Sequence, residues 1–291
     1  MSRAALLAVF LSLVVTGTVH GQDSSDPKVE EFRSKLRALD WVSGPRDVTI
    51  GSNSTLALPE GYLYLDAANT AKFEELNENI SGGKEVLIAP RTLRWTAYLV
   101  FEPEGYVKDD EKIDSDAILK TLTEQTEAAN EERKRRGWGE MHVIGWQIQP
   151  AYNNTTKRLE WAILGRTQGG EVANFSTKIL GRRGFTSVVL VSSPENTSAA
   201  AADLDQVLTA YRFNPGSTYA EWRPGEKVAE YGLSGLIVGG AVAAAVKTGL
   251  LKGLWKFLVV GAAALWKFLV VAAVAAIAGL KSLFRRKRST P

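Results

Sequence analysis

Four stretches decide the fold: HVIGWQIQ (142–149), KRLEWAILGR (157–166), EVANFSTKIL (171–180) and FTSVVLV (185–191). Each alternates between apolar and polar residues with period two, as half-buried strands do. Asn153-Asn154, Gly169-Gly170 and Gly181-Arg182-Arg183-Gly184 separate them, and these residue types turn a chain sharply. The stretch predicts a four-stranded antiparallel meander. Downstream, Thr197 or Ser198 caps a helix with Leu204, Val207, Leu208 and Tyr211 on one face. Upstream, Asp114 and Ser115 cap a long helix through Arg136, which Gly137 stops, with Ile118, Leu119 and Leu122 turned inward. Before it come short strands at Val48–Gly51, Thr55–Leu58, Tyr62–Leu65, Val86–Ala89 and Arg94–Phe101. Helices are expected from Asp26-Pro27 and over Asn69–Asn79. The order predicts an α+β fold, a largely antiparallel sheet with flanking helices.

Charge is segregated along the 291 residues. All 32 acidic residues lie between Asp23 and Glu230 beside 25 basic ones, a net −7, whereas ten basic residues and no acid lie outside that stretch. The excess positive charge flanks apolar runs, so it reads as membrane topology and not as a nucleic-acid surface. Arg3, the apolar stretch Ala4–Val15 and Val19-His20-Gly21 form a signal peptide over residues 1–21. Residues 22–43 are an N-terminal helix and linker, and 44–232 the exported domain. A Gly/Ala-rich apolar juxtamembrane segment occupies 233–256. Phe257–Leu280 is long and apolar enough to span a bilayer, despite Lys267 at its centre. Arg285, Arg286, Lys287 and Arg288 belong to a basic tail, 281–291, that the positive-inside rule holds in the cytoplasm. One span is expected, because a two-span hairpin would export that tail. The block LWKFLVV occurs at 254–260 and again at 265–271. This eleven-residue shift puts both Trp-Lys pairs on one helix face, with Trp255 and Lys256 anchoring at the outer interface. The body then lies on the periplasmic side of the inner membrane.

Chemistry is sparse. Without cysteine there is no thiol nucleophile, thiolate metal site or disulfide. Once the signal is removed His142 is the only histidine, on a strand face with Ile144, Trp146 and Ile148. Packing or hydrogen bonding in the sheet is its expected role. No Gly-x-Ser-x-Gly elbow, phosphate-binding loop or dinucleotide fingerprint occurs. Ser81-Gly-Gly-Lys84 matches a Ser-x-x-Lys dyad in letters only, since it falls in a turn. The acidic run Asp109-Asp110-Glu111 with Asp114 and Asp116 is the best polar constellation. It has oxygen ligands for a hard cation but lacks the spacing of a calcium loop, and acids at a helix start also cap it. Tyr106, Asp109, Asp110 and Arg182 are the candidate binding residues. No catalytic residue, metal ligand or cofactor is assigned.

Gly44-Pro45, Leu58-Pro59-Glu60-Gly61-Tyr62 and Gly105-Tyr106-Val107-Lys108-Asp109-Asp110 carry a family resemblance. So do Gly145-Trp146 with Pro150 and Tyr152, Leu159-Glu160-Trp161-Ala162, Asn174 with Leu180-Gly181-Arg182-Arg183-Gly184, and Ala229-Glu230-Tyr231-Gly232-Leu233. Over roughly residues 40–280 the chain resembles the bacterial domain-of-unknown-function family 2167, predicted membrane-anchored proteins. The resemblance implies a bacterial envelope protein and supplies no activity, ligand or catalytic residue. The duplicated Leu-Trp-Lys-Phe block departs from the single apolar stretch expected there. The element order is also similar to the αβα sandwich of the photosystem II extrinsic subunit P family, a topological likeness without functional content. The expected function is that of a membrane-anchored binding or assembly module. Its partners are membrane lipids and another membrane or envelope protein, not nucleic acid. The alternative is an envelope hydrolase using Asp109, Asp110 or Glu160 as acid/base carboxylates. Six tryptophans (Trp41, Trp95, Trp138, Trp146, Trp161, Trp222) are expected mostly in the core, and an exposed cluster of them would mark a contact surface.

Overall fold

A computed structural model describes residues 27–77, 81–135 and 139–239. In chain order these hold α1 (Pro27–Arg37), β1 (Val42–Ser43), β2 (Arg46–Ile50), β3 (Ser54–Leu58), β4 (Tyr62–Leu65) and α2 (Ala67–Leu76). Next come β5 (Val86–Pro90), β6 (Thr96–Glu102), α3 (Ser115–Arg135) and the meander β7 (Met141–Asn153), β8 (Arg158–Thr167), β9 (Gly170–Gly181) and β10 (Gly184–Val191). α4 (Thr197–Leu208), β11 (Tyr211–Phe213) and α5 (Leu233–Val238) close the described chain. The fold is α+β, as expected.

Eight strands form one sheet in the order β1-β4-β5-β6-β10-β9-β8-β7, and β11-β3-β2 form a smaller one. Every strand pairing is antiparallel. The meander's turns depend on particular residues. Gly184 opens β10 at φ +158, and a Cβ there would collide with the Glu102 carbonyl.

Both faces of the large sheet are covered. On one, Ala97, Leu99, Phe175, Val188 and Leu190 pack with Leu204, Val207 and Leu208 of α4 and with Ile50, Leu56 and Leu58 of the small sheet. The other carries two apolar clusters. Leu65, Phe73, Leu87 and Tyr98 form one with α2. Leu159, Trp161, Leu180 and Phe185 form the second with Ile118 and Leu122 of α3 and with α5.

Three local expectations change. Tyr211 does not continue α4. The helix ends at Leu208, and Tyr211 pairs with Leu56 at the open edge of β3. β7 carries register shifts between Val143 and Gly145 and again beyond Trp146, so His142 and Ile144 are exposed while Trp146 is half-buried. Leu233–Val238, expected in the juxtamembrane segment, packs into the second cluster as α5, so the folded body continues past Gly232. Among the described residues no helix is long and apolar enough to cross a membrane. Residues 1–26 and 240–291, with the signal peptide, the span 257–280, Trp255, Lys256, Lys267 and Arg285, Arg286, Lys287 and Arg288, lie outside the described residues.

Candidate functional site

The candidate residues meet where the chain leaves β6 and later returns after β11. Gly105, at φ +103, brings its N–H to the Arg183 carbonyl (3.1 Å). A Cβ there would press on the Lys227 carbonyl. Tyr106 then forms an isolated parallel bridge: its N–H donates to Lys227 O (2.9 Å) and its carbonyl accepts from Ala229 N–H (2.9 Å). Its ring stacks on Tyr219 (centroids 4.4 Å apart) and on Trp222 (4.7 Å). The Tyr219 hydroxyl donates to the Val107 carbonyl at 2.7 Å.

Asp109 is the polar centre of this junction. One carboxylate oxygen accepts from the Tyr152 hydroxyl (2.8 Å) and from the Lys157 ammonium (2.8 Å). Lys157 is, among the described residues, one of two non-glycine residues at positive φ (+55), and its backbone is fixed by the Leu180 N–H on its carbonyl (2.8 Å). Its ammonium lies 4.9 Å from the Tyr219 ring centroid. Partial burial would raise the Asp109 carboxyl, yet Lys157 and Tyr152 outweigh it and hold the group below its ordinary range. Burial, and then Asp109 itself, push the Tyr152 hydroxyl well above its usual value.

This arrangement is poor acid/base machinery. A carboxylate held ionised by an ammonium and a phenol neither releases nor captures a proton near neutral pH. Glu160, another hydrolase candidate, is paired with Arg158 and accepts from Thr177. Asp110 faces solvent. Asp114 caps α3, its Oδ1 accepting the Ala117 N–H at 3.0 Å, as the capping interpretation of the acidic run requires. Glu111 does something the spacing did not announce: it accepts the Ser234 N–H (3.1 Å) at the start of α5.

Arg182, in the turn between β9 and β10, holds the same returning segment but lies apart from the Asp109 bonds. Its guanidinium grips Glu226 through two bonds (2.8 and 2.5 Å) and the Gly216 carbonyl through a third (3.0 Å). Arg182 pushes the Glu226 carboxyl down to about 2. The structure thus brings Tyr106 and Asp109 together, sets Arg182 on a neighbouring clasp and leaves Asp110 free of both. The shared product is a strap, residues 214–239, fastened to the body. The Arg182 pair, the Tyr106 bridge and Glu111 hold it in turn.

A second polar centre lies inside the sheet. Lys178 and Ser187 face each other across β9 and β10, both buried, with the ammonium donating to the hydroxyl at 2.5 Å. Burial lowers Lys178 to about 8, opposed by Glu102, which burial pushes up to about 7. A serine beside a desolvated lysine has the composition of a nucleophile and its base. Ser187, however, sits mid-strand between β6 and β9, where the ladders occupy the backbone N–H groups that an oxyanion needs. Alternation concealed the burial of Lys178: it shares a strand face with Asn174 and Ser176, a face that looks solvated, yet its ammonium lies 5.7 Å from the ring centroids of both Trp161 and Phe185.

Among the described residues no cluster of bare aromatics marks a contact surface. Trp95 and Trp161 are buried, Trp41, Trp146 and Trp222 are half-buried, and Trp138 lies outside the described residues. Among the described residues the only exposed large hydrophobic side chain is Ile144, at 43%. His142 is exposed beside it and bonds Glu127 at 2.8 Å, so it is hydrogen-bonded at the surface and not packed in the sheet.

Comparison with known proteins agrees with the family resemblance. No curated protein matches the sequence. The solution structure of cyanobacterial PsbP (CyanoP) from Synechocystis sp. PCC 6803 is similar at 8% identity and a TM-score of 0.32, over 60% of this chain and 92% of that one. The family described as "protein of unknown function (DUF2167)" matches residues 42–277, most of the chain, and the protein belongs to it.

Proposed function

We propose that this protein is a membrane-anchored module of the bacterial envelope that acts by binding or assembly. Its body lies outside the cytoplasmic membrane, residues 257–280 span it and the arginine-rich tail remains inside. The observation that carries the proposal is the strap. Residues 214–239 are clamped to the body by Arg182–Glu226, by the Tyr106–Ala229 bridge and by Glu111 on α5. That segment leads into the apolar stretch, so these clamps fix the point at which the proposed anchor leaves the body. Engagement of Asp109 and Glu160 in structural pairs favours binding over carboxylate-driven hydrolysis. In-cell photocrosslinking from the full-length chain tests the proposal, with the probe at Ile144 and, separately, at Asp110. A discrete adduct with an envelope protein or lipid supports it. Recovery of the chain in the soluble fraction, or turnover of envelope material lost in Asp109→Asn, contradicts it.

A further inference from the structure

One face of the large sheet carries two apolar clusters with a polar strip between them. Tyr98 belongs to the cluster under α2, and Trp161 and Phe185 belong to the cluster under α3 and α5. Lys178 and Ser187 belong to neither. They sit opposite each other on β9 and β10, and Val100 of β6 lies opposite Ser187 on its other side. Two residues along, Glu102 is paired with Phe185, so its side chain leaves the same face. Lys178 and Ser187 are 4% and 8% exposed, yet Val100, Glu102 and Ser176 around them are only half-buried. Solvent therefore reaches the strip within one strand position of the lysine.

An ammonium carries three N–H donors. Among the described residues that of Lys178 has one acceptor, the Ser187 hydroxyl at 2.5 Å. The Trp161 and Phe185 rings, each with its centroid 5.7 Å away, attract a cation but take no hydrogen bond along the other N–H directions. Such surroundings favour the uncharged amine, which is the nucleophilic form of lysine. We propose that Lys178 is a reversible covalent binding site for small neutral aldehydes, with Ser187 orienting the amine and Glu102 supplying the proton. The amine nitrogen bonds the carbonyl carbon while Glu102 protonates the carbonyl oxygen and then recovers a proton from nitrogen. Glu102 next protonates the hydroxyl, the C–O bond breaks and water leaves. A protonated imine remains beside the Glu102 carboxylate, so atoms and charge balance. The step needs no free backbone N–H, which the strand ladders deny to a Ser187 nucleophile. Burial sets Lys178 to about 8 and Glu102 to about 7, so amine and acid coexist near neutral pH. Trp161, Phe185 and Val100 suit an apolar body. Glu104 and Glu85, which act electrostatically on Glu102, disfavour an anionic keto acid. The proposal is independent of the envelope function.

The test incubates the full-length chain in detergent with butanal and cyanoborohydride, which fixes the imine as a stable amine that peptide mass mapping locates. Lys120, 78% exposed, is the internal reference. At about pH 7.5 an ordinary lysine is roughly 0.1% free amine and Lys178 about a quarter, and burial slows entry. Lys178 should be labelled about tenfold faster than Lys120. Labelling no faster than that of Lys120 overturns the site. Pyruvate in place of butanal should label Lys178 far more slowly, and equal labelling overturns the ligand class. Glu102→Gln isolates the acid. Loss of its charge alone leaves more free amine and quickens labelling, whereas loss of the acid slows it. Several-fold slower labelling supports the assigned role, and unchanged or faster labelling overturns it. Circular dichroism checks each variant. If Glu102→Gln fails to fold, Val100→Trp decides, because it fills the strip and leaves all three groups in place. Loss of Lys178 labelling with Lys120 unchanged supports the site, and undiminished labelling overturns it.

Discussion

Asp109→Asn separates a structural clasp from an acid/base site. The substitution keeps the shape of the side chain and removes the charge that faces Lys157 and Tyr152, each at 2.8 Å. Hydrogen bonds to a charged group contribute about 1.5–3 kcal/mol each when buried. Asp109 is 21% and Lys157 30% exposed in their side chains, so solvent screens part of that energy. The expected net loss is about 2 kcal/mol, or a fall in Tm of roughly 4–8 °C for a body of this size. A double-mutant cycle with Lys157→Met should return a coupling of about 1 kcal/mol. The pH dependence has a definite sign. The folded carboxyl is held below its ordinary value, so its stabilisation is full above the unfolded pKa, about 3.9, and disappears as pH falls through the folded one. Urea denaturation at pH 7 and at pH 3 reads this directly: the wild-type advantage should be present at the first and reduced at the second. A loss below about 0.5 kcal/mol at pH 7, or one independent of pH, would refute the clasp.

Other consequences are as specific. Glu74 has the opposite sign: its folded carboxyl is raised to about 7, so stability is highest below the unfolded pKa and declines as pH rises to about 7. Glu74→Gln should become the more stable protein above pH 7, by up to about 3 kcal/mol, and calorimetry across pH 4–8 checks this. A chain ending at Gly232 loses α5 and with it the buried Leu233, Leu236, Ile237 and Val238, each contributing about 1.5–3 kcal/mol before chain entropy is returned. It should melt well below a chain ending at Gly239, and equal Tm values would remove α5 from the folded body. Gly184→Ala should cost more than about 2 kcal/mol, because its Cβ meets the Glu102 carbonyl in a backbone conformation only glycine adopts readily. A wild-type-like denaturation midpoint would refute that.

The meander, α3 and α4 are legible because alternation, turn residues and caps all point the same way. Asp114 behaves as the cap its position suggests. The edges are harder. Tyr211 continues the helical spacing of Val207 and Leu208, and only the open edge of β3, a tertiary feature, draws it into a strand. Hydropathy also cannot distinguish a short buried helix from the start of a membrane segment, so in sequence α5 merges with the apolar residues beyond Gly239. The candidate residues fare unevenly for a related reason. Tyr106 and Asp109 meet through Tyr152, Lys157, Tyr219 and Trp222, which are up to 116 positions away in the numbering and carry no local signal. Glu74 looks like one more solvated acid in an acidic helix. Its burial depends on where β6 places Thr96 and Tyr98.

Orientation across the membrane is the most direct test. Alkaline phosphatase and a fluorescent protein are fused in turn after Gly239 and after Pro291 of the full signal-bearing chain. Phosphatase activity only at Gly239 and fluorescence only at Pro291 are the predicted result. Phosphatase activity at Pro291, or a mature chain recovered without membranes, would contradict the proposed anchoring.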